Sequence, residues 1–402
     1  MPCREQPTNV QVHIVSFRAW FMQFIYLCVP ESRPECKRRG QQRRRVDMTP
    51  PVPHHVATVK KGHALAFIVL SVLLAAAVLL GVGIGAVPVS PVSLIRFLLV
   101  KLGLSSLPLP DQRDITILLL LRLPRVVAAM LVGSSLAMCG VVMQGLFRNP
   151  MASPEILGLS AGGSLGAVIA ITAGLASLSP VAVPAFTIVG AMVSAGCIYL
   201  LSSSRGTTSL LYIVIAGMAI SSLFSGFTSA LLLFSREYLV SQFIFWTMGG
   251  LDGRSWQHIL YSAPVLVPGM VVLSFFARDL NLFTLGEDEA LSLGMRVEST
   301  KRILLAVAAV VTGVAIAVSG PIGFVGLLIP HLLRFLVGPD HRALLPASAL
   351  GGALFLVLCD LLGRALLPPF EIRVGIITAI LGSPYLLSLI VRIQRRGAAR
   401  AG

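Results

Sequence analysis

The chain has 402 residues, of which 55% are hydrophobic and 12% charged, against roughly 25% charged in an ordinary soluble domain. A soluble multidomain protein is excluded, because a soluble core has no use for repeated uncharged runs of about 20 residues. The net charge of +15 does not point to nucleic acid: residues 1–47 hold nine Lys/Arg against four Asp/Glu, and the remaining 23 against 13 are spread through short loops, as positive cytoplasmic loops would spread them.

Residues 1–60 read as a basic arm. Arg33 to Arg45 carries seven basic residues and leads through Met48, an alternative start, into a Pro-rich stretch. Val12 to Val29 is moderately apolar but interrupted by Arg18 and Gln23 and lacks signal-peptide order; disorder is expected there, with an extra span or an interfacial helix as the alternatives.

Residues 61–397 have the pattern of an all-α polytopic membrane domain with about ten transmembrane helices. The hydrophobic segments are 64–86, 115–147, 156–174, 181–201, 209–234, 256–277, 303–319, 322–337, 343–363 and 374–391. Each can cross as a helix, since backbone groups in lipid must pair within their own segment. The second is too long for a simple span, and Arg122 and Arg125 around Pro124 predict an interfacial start for it. Close packing of backbones is expected at Gly158, Gly162 and Gly166. The eighth segment opens with Gly320-Pro321-Ile-Gly323 and contains Pro330, which predicts a break or kink. An even number of spans puts both ends of the bundle on one side. Arg148, Arg205, Arg278, Arg296, Lys301, Arg302, Arg342 and the basic C-terminal end make that side the cytoplasm. Residues 398–402 read as a tail.

One polar connector, 278–302, carries a helix signal. Gly286 precedes Glu287, Asp288 and Glu289, acids suited to the positive end of a helix; Ala290 to Leu293 adds a second turn, and Gly294 stops it. Such an element is either a solvated surface helix or a rigid knob that fits a groove on a cytoplasmic ATPase. Asp360 and Arg364 lie four residues apart on one helix face and can pair.

Enzymatic readings find no support. Gly158-Leu-Ser160-Ala-Gly162 matches a nucleophile elbow but lies in a glycine-rich apolar helix. No P-loop is present, so ATP must be bound elsewhere. The cysteines at 3, 28, 36, 139, 197 and 359 form no Cys-x-x-Cys pair, so neither a disulfide framework nor a metal site is expected. His331 beside Arg334 reads as a structural histidine rather than a haem ligand. No catalytic residue and no cofactor are expected in this chain.

Several collinear motifs resemble the FecCD-type permeases, which import cobalamin, ferric siderophores and haem with a separate ATPase. They are Arg122-Leu-Pro-Arg125, Gln144-Gly-Leu-Phe-Arg-Asn-Pro150, Leu157-Gly-Leu-Ser-Ala-Gly162, Gly286 to Gly294, Gly320-Pro-Ile-Gly-Phe-Val-Gly-Leu-Leu-Ile-Pro-His331 and Asp340-His-Arg342, within about residues 64–393. The resemblance implies a cobalamin-importer-permease-like fold of two inverted five-helix repeats in a bacterial inner membrane. It also implies a homodimer around a central path, two copies of an ATPase that bind ATP-Mg, and a periplasmic or lipid-anchored binding protein. On the same ground, Gly286, Glu287, Asp288, Glu289, Ala290, Leu293 and Gly294 are expected to couple to the ATPase. Arg122, Arg125 and Arg364 are expected to dock the binding protein through its carboxylates, with headgroup anchoring the alternative for Arg122 and Arg125. A ferric siderophore is the favoured cargo, with haem and cobalamin as alternatives. The rival reading, an ion-coupled secondary transporter, needs intramembrane acids, and only Asp360 is available.

Overall fold

The computed structural model describes residues 56–85, 96, 100, 111–179, 181–204, 207–208, 210–367 and 370–401, all within one unit, His55–Gly402. The expected arm as far as residue 55, and Arg205 with it, lie outside the described residues. In chain order the helices are α1 (Val56–Gly83), α2 (Gln112–Leu146), α3 (Leu159–Thr172), α4 (Ala182–Ser202), α5 (Leu210–Leu233), α6 (Glu237–Thr247), α7 (Trp256–Phe275), α8 (Ala277–Phe283), α9 (Glu287–Ser292), α10 (Val297–Ser319), α11 (Val325–Val337), α12 (His341–Ala365) and α13 (Val374–Ala401). Strands β1 (Ser203–Ser204) and β2 (Thr207–Thr208) pair antiparallel between α4 and α5. Seven helices, α1, α2, α4, α5, α7, α10 and α12, are long and apolar enough to cross a membrane; α3, α11 and Val374–Leu389 of α13 are shorter apolar helices.

Burial separates centre from periphery. The most apolar windows of α2, α10 and α12 are 78%, 72% and 61% buried, whereas those of α1, α4, α5 and α7 are 17–28% buried. Leu65, Ile68, Leu211, Phe227 and Leu260 are all more than half exposed on the outer helices. A soluble surface rarely carries that much contiguous apolar area, and a lipid-facing one requires it. Small residues set the close crossings. A Cβ at Gly162 or Gly166 would run into the carbonyls of Gly190 or Phe186 on α4, and one at Gly133 of α2 into that of Gly352 on α12. Gly158 plays a different part: with φ +65 it is the left-handed residue that starts α3.

The helix of the second segment runs unbroken from Gln112 to Leu146 with a π-helical turn at Ile117–Arg122. Pro124 explains the turn. Leu123 N–H reaches back five residues to the Leu118 carbonyl; the next donor in that register would be Pro124, which has none. The Leu119 carbonyl accepts instead from the indole N–H of Trp256, at 2.8 Å. The break in the eighth segment is an extended stretch after Ser319, with Phe324 in the left-handed region at φ +69 starting α11. Pro330 lies inside α11 and leaves the Gly326 carbonyl without its helical donor. The Gln144 side-chain amide from α2 fills that role, at 3.3 Å from Gly326 O and 3.2 Å from Leu327 O.

Three further differences concern the connectors. Helix α6 interrupts what read as a loop, and Phe243, stacked on Trp246 with centroids 6.1 Å apart, packs against Ala167, Val168 and Ile171 of α3. The 278–302 connector is mostly helical, holding α8, α9 and the start of α10. Helix α13 continues to Ala401, through most of the expected tail.

Candidate functional site

Helices α2 and α12 run antiparallel, so the chain has two distinct polar ends. At one, α2 brings Gly145 against His341 at the start of α12; at the other, Arg125 near the start of α2 meets Asp360 near the end of α12.

The first end carries the α8–α9 connector. Helix α9 is bounded by Gly286 (φ +136) and Gly294 (φ +84), conformations that suit glycine. Its C-terminus is a Schellman motif: Met295 N–H reaches Ala290 O at 3.0 Å and Gly294 N–H reaches Leu291 O at 2.9 Å. The accompanying apolar contact is present, since Ala290 and Met295 are both buried in the main core. Glu287, Asp288 and Glu289 occupy the first turn, where the helix dipole favours them. Beside the exposed Asp288 and Glu289, Leu285, Leu291 and Leu293 are 58%, 63% and 63% exposed.

Both ends of this connector are pinned. Asn281 of α8 accepts from the backbone N–H of His341 at 3.0 Å, lies 2.7 Å from His341 Nδ1, and donates to Asp340 Oδ1 at 2.7 Å. Asp340 also caps α12 by accepting from Arg342 N–H at 3.0 Å. Partial burial pushes its carboxyl upward, but the Arg342 N–H, the Asn281 amide and the nearby cations outweigh that and hold it below the usual carboxylate range. At the other end of the connector, Glu287 of α9 pairs with Lys301 of α10 at 2.9 Å.

The second end gathers the three arginines singled out in the sequence. Arg122 donates to Val82 O at 2.9 Å and Gly83 O at 2.5 Å, and Arg364 to Ile84 O at 2.7 Å. These are carbonyls at the C-terminal end of α1, which lack intrahelical donors. Arg125 bridges Asp360 at 2.8 Å and Glu371 at 2.7 Å. Asp360 also lies 3.0 Å from Arg364, without hydrogen-bond alignment, so that contact is Coulombic. The expected pairing of Asp360 with Arg364 is therefore present, joined by a third group from α2. Arg122 and Arg364 are 5% and 3% exposed, with their donors turned inward; the Arg125 side chain is 12% exposed. Nearby, Arg373 pairs with Asp252 and lies over the Phe245 ring, 5.6 Å from its centroid.

Between the ends, the breaks before α3 and α11 meet. Glu155, in a 3₁₀ turn at Pro154–Leu157, lines a small cleft with Leu136, Thr312, Ile322 and Gly326 and is itself solvent-exposed. His331 packs edge-on against Phe335 and Tyr385, with centroids 5.3 and 5.9 Å away, and neither ring nitrogen has a hydrogen-bond partner among the described residues. Among the described residues no group of three or more His, Cys, Asp or Glu could hold a metal, and Cys139, Cys197 and Cys359 are free.

Helices that carry their polar chemistry at the two ends of a lipid-facing bundle match one family over most of the chain: the FecCD transport family model covers residues 73–392. The chain belongs to that family. Among its relatives, this permease is 45% identical over 271 residues to the cobalamin import system permease protein of Halobacterium salinarum, covering 67% of this chain and 72% of that one. It is 42% identical over 275 residues to the hemin transport system permease protein of Yersinia pestis, covering 68% and 82%. A solved structure described as an inward-facing conformation of a metal-chelate type ABC transporter superposes with a TM-score of 0.71 at 31% identity, over 82% of this chain and 99% of that one. The permease is thus a multi-pass membrane subunit of an ABC transporter, a transport component rather than an enzyme.

Proposed function

We propose that this permease carries an iron chelate, a ferric siderophore ahead of haem or cobalamin, into the bacterial cytoplasm by alternating access driven by a partner ATPase. The observation that carries the reading is α9: a short helix bounded by Gly286 and Gly294, tied to α10 by Glu287 while the preceding α8 is tied to α12, and exposing Leu291 with Leu285 and Leu293 at its ends where a solvated connector has no reason to. It has the form of a knob for a partner's groove, with Gly286, Glu287, Asp288, Glu289, Ala290, Leu293 and Gly294 setting its shape and bounds. Two copies of the permease would stand over two copies of the ATPase, which bind ATP-Mg, with both ends of the bundle cytoplasmic.

Ten membrane helices in two inverted five-helix repeats fit the elements. Helices α2 and α10 are long and buried; each is followed by a break, a left-handed residue (Gly158 or Phe324), and a short helix, α3 or α11. The binding protein would dock at the opposite end, over Arg122, Arg125 and Arg364. There Arg125 with Glu371 lies nearest the surface, and Arg122 and Arg364 fix the helices beneath. The ion-coupled alternative is weakened by Asp360, which two arginines neutralise. Proteoliposomes holding the permease, its ATPase and its binding protein should take up one of ferric hydroxamate siderophore, haemin or cobalamin only with ATP. Uptake at full rate without the ATPase would overturn the reading.

A further inference from the structure

Lys301 sits in the second turn of α10, only 2% exposed. An ammonium so placed must have partners, because removing it from water is otherwise prohibitive. Its three come from three different pieces of chain. Lys301 Nζ donates to Glu287 Oε2 of α9 at 2.9 Å and to the Thr208 carbonyl of β2 at 2.9 Å, and lies 3.5 Å from Glu298 Oε2 in its own helix. Three donors thus face three acceptors. Glu298 in turn accepts a short hydrogen bond from the Thr208 hydroxyl, which also meets Ser203 Oγ at 3.0 Å across the hairpin. The hairpin stands directly before Leu210, the first residue of α5.

Nothing else described between α9 and the hairpin is bonded this way. A force on α9 reaches α10 along the chain; it reaches the foot of α5 directly through this ammonium, and through α10 by the adjoining Glu298–Thr208 hydrogen bond. Helix α5 is the least buried of the long apolar helices, at 17%, and packs chiefly on α3 and α4 rather than on α9 or α10.

We propose that Lys301 is a positioning residue of motor coupling, the pin by which displacement of α9 moves the hairpin and α5 together with α10. The proposal rests on the coupling reading of α9. It gives Lys301 a task beyond holding the base of α10 together, since a purely stabilising lysine has no reason to respond to nucleotide.

The test uses the full complex of permease and ATPase in nanodiscs, with spin labels at L291C on α9 and L211C at the foot of α5, positions 63% and 65% exposed. In the otherwise native permease the interlabel distance should be narrow and the same with and without ATP. In K301M, and in E287Q made at a side chain 38% exposed, it should stay narrow without nucleotide and be lost when ATP binds, with K301R restoring it. E287Q keeps the test open where K301M does not insert. A distance unchanged by ATP in both variants overturns the proposal, as does one already lost without nucleotide, which assigns Lys301 to stability alone. A label at residue 291 that is not immobilised by the ATPase removes the coupling reading itself; immobilisation with unaltered variants removes only the pin.

Discussion

Single polar side chains here supply donors or charges that a neighbouring helix lacks. Gln144 provides the N–H that Pro330 does not have, Trp256 the one that Pro124 does not have, and Arg122 and Arg364 the donors missing at the end of α1. Asp360 is the acid on which two guanidiniums depend. Removing one member of such a group leaves the others charged and buried, at a cost of about 3–5 kcal/mol. D360A should therefore lower the unfolding free energy of the purified permease in a denaturant titration by about that amount, and R364L added to it should recover part of the loss. The Asp360–Arg364 pair was legible in sequence because a four-residue spacing is local helical geometry. Arg125 as its third member was not, since it stands 235 positions away. Nor could the reason for Gln144 be read, because it depends on a proline in another helix.

Elements were legible where their boundaries are local chemistry. Gly286, the three acids and Gly294 delimit α9 in sequence because dipole and left-handed caps act within a turn or two. The π turn in α2 and helix α6 were not legible: the first is completed by Trp256, and the second is held by packing on α3. The start of α10 at Val297 was hidden by charges at 298, 301 and 302, which read as loop until Lys301 is seen to be internally paired. A side chain at Gly294 would be held at φ +84, at about 1–2 kcal/mol of strain, enough to unwind a six-residue helix. G294V should reduce co-purification of the ATPase while leaving the yield of membrane-inserted permease unchanged. Full retention of the ATPase would show that the shape of α9 is not what the partner reads.

For the whole molecule, hydropathy was sufficient for the fold class, because each of the ten apolar helices among the described residues overlaps a segment recognisable by composition. The central position of α2, α10 and α12 was not readable, since composition reports affinity for lipid and says little about which neighbours exclude it. The two polar ends should lie on opposite faces of the membrane. An impermeant maleimide should reach D252C on sealed cells and L291C only after permeabilisation; the reverse pattern would remove an importer orientation. The long reach between Arg125 and Asp360 also bears on how the protein is made. When the second helix leaves the ribosome, the acid of the ninth apolar segment has not yet been synthesised, and Arg125 enters the translocon unneutralised. The nearest refuge for it is the headgroup layer, so that turn of α2 should linger there and sink to its final depth only when α12 arrives, which makes insertion of this permease a late, concerted event.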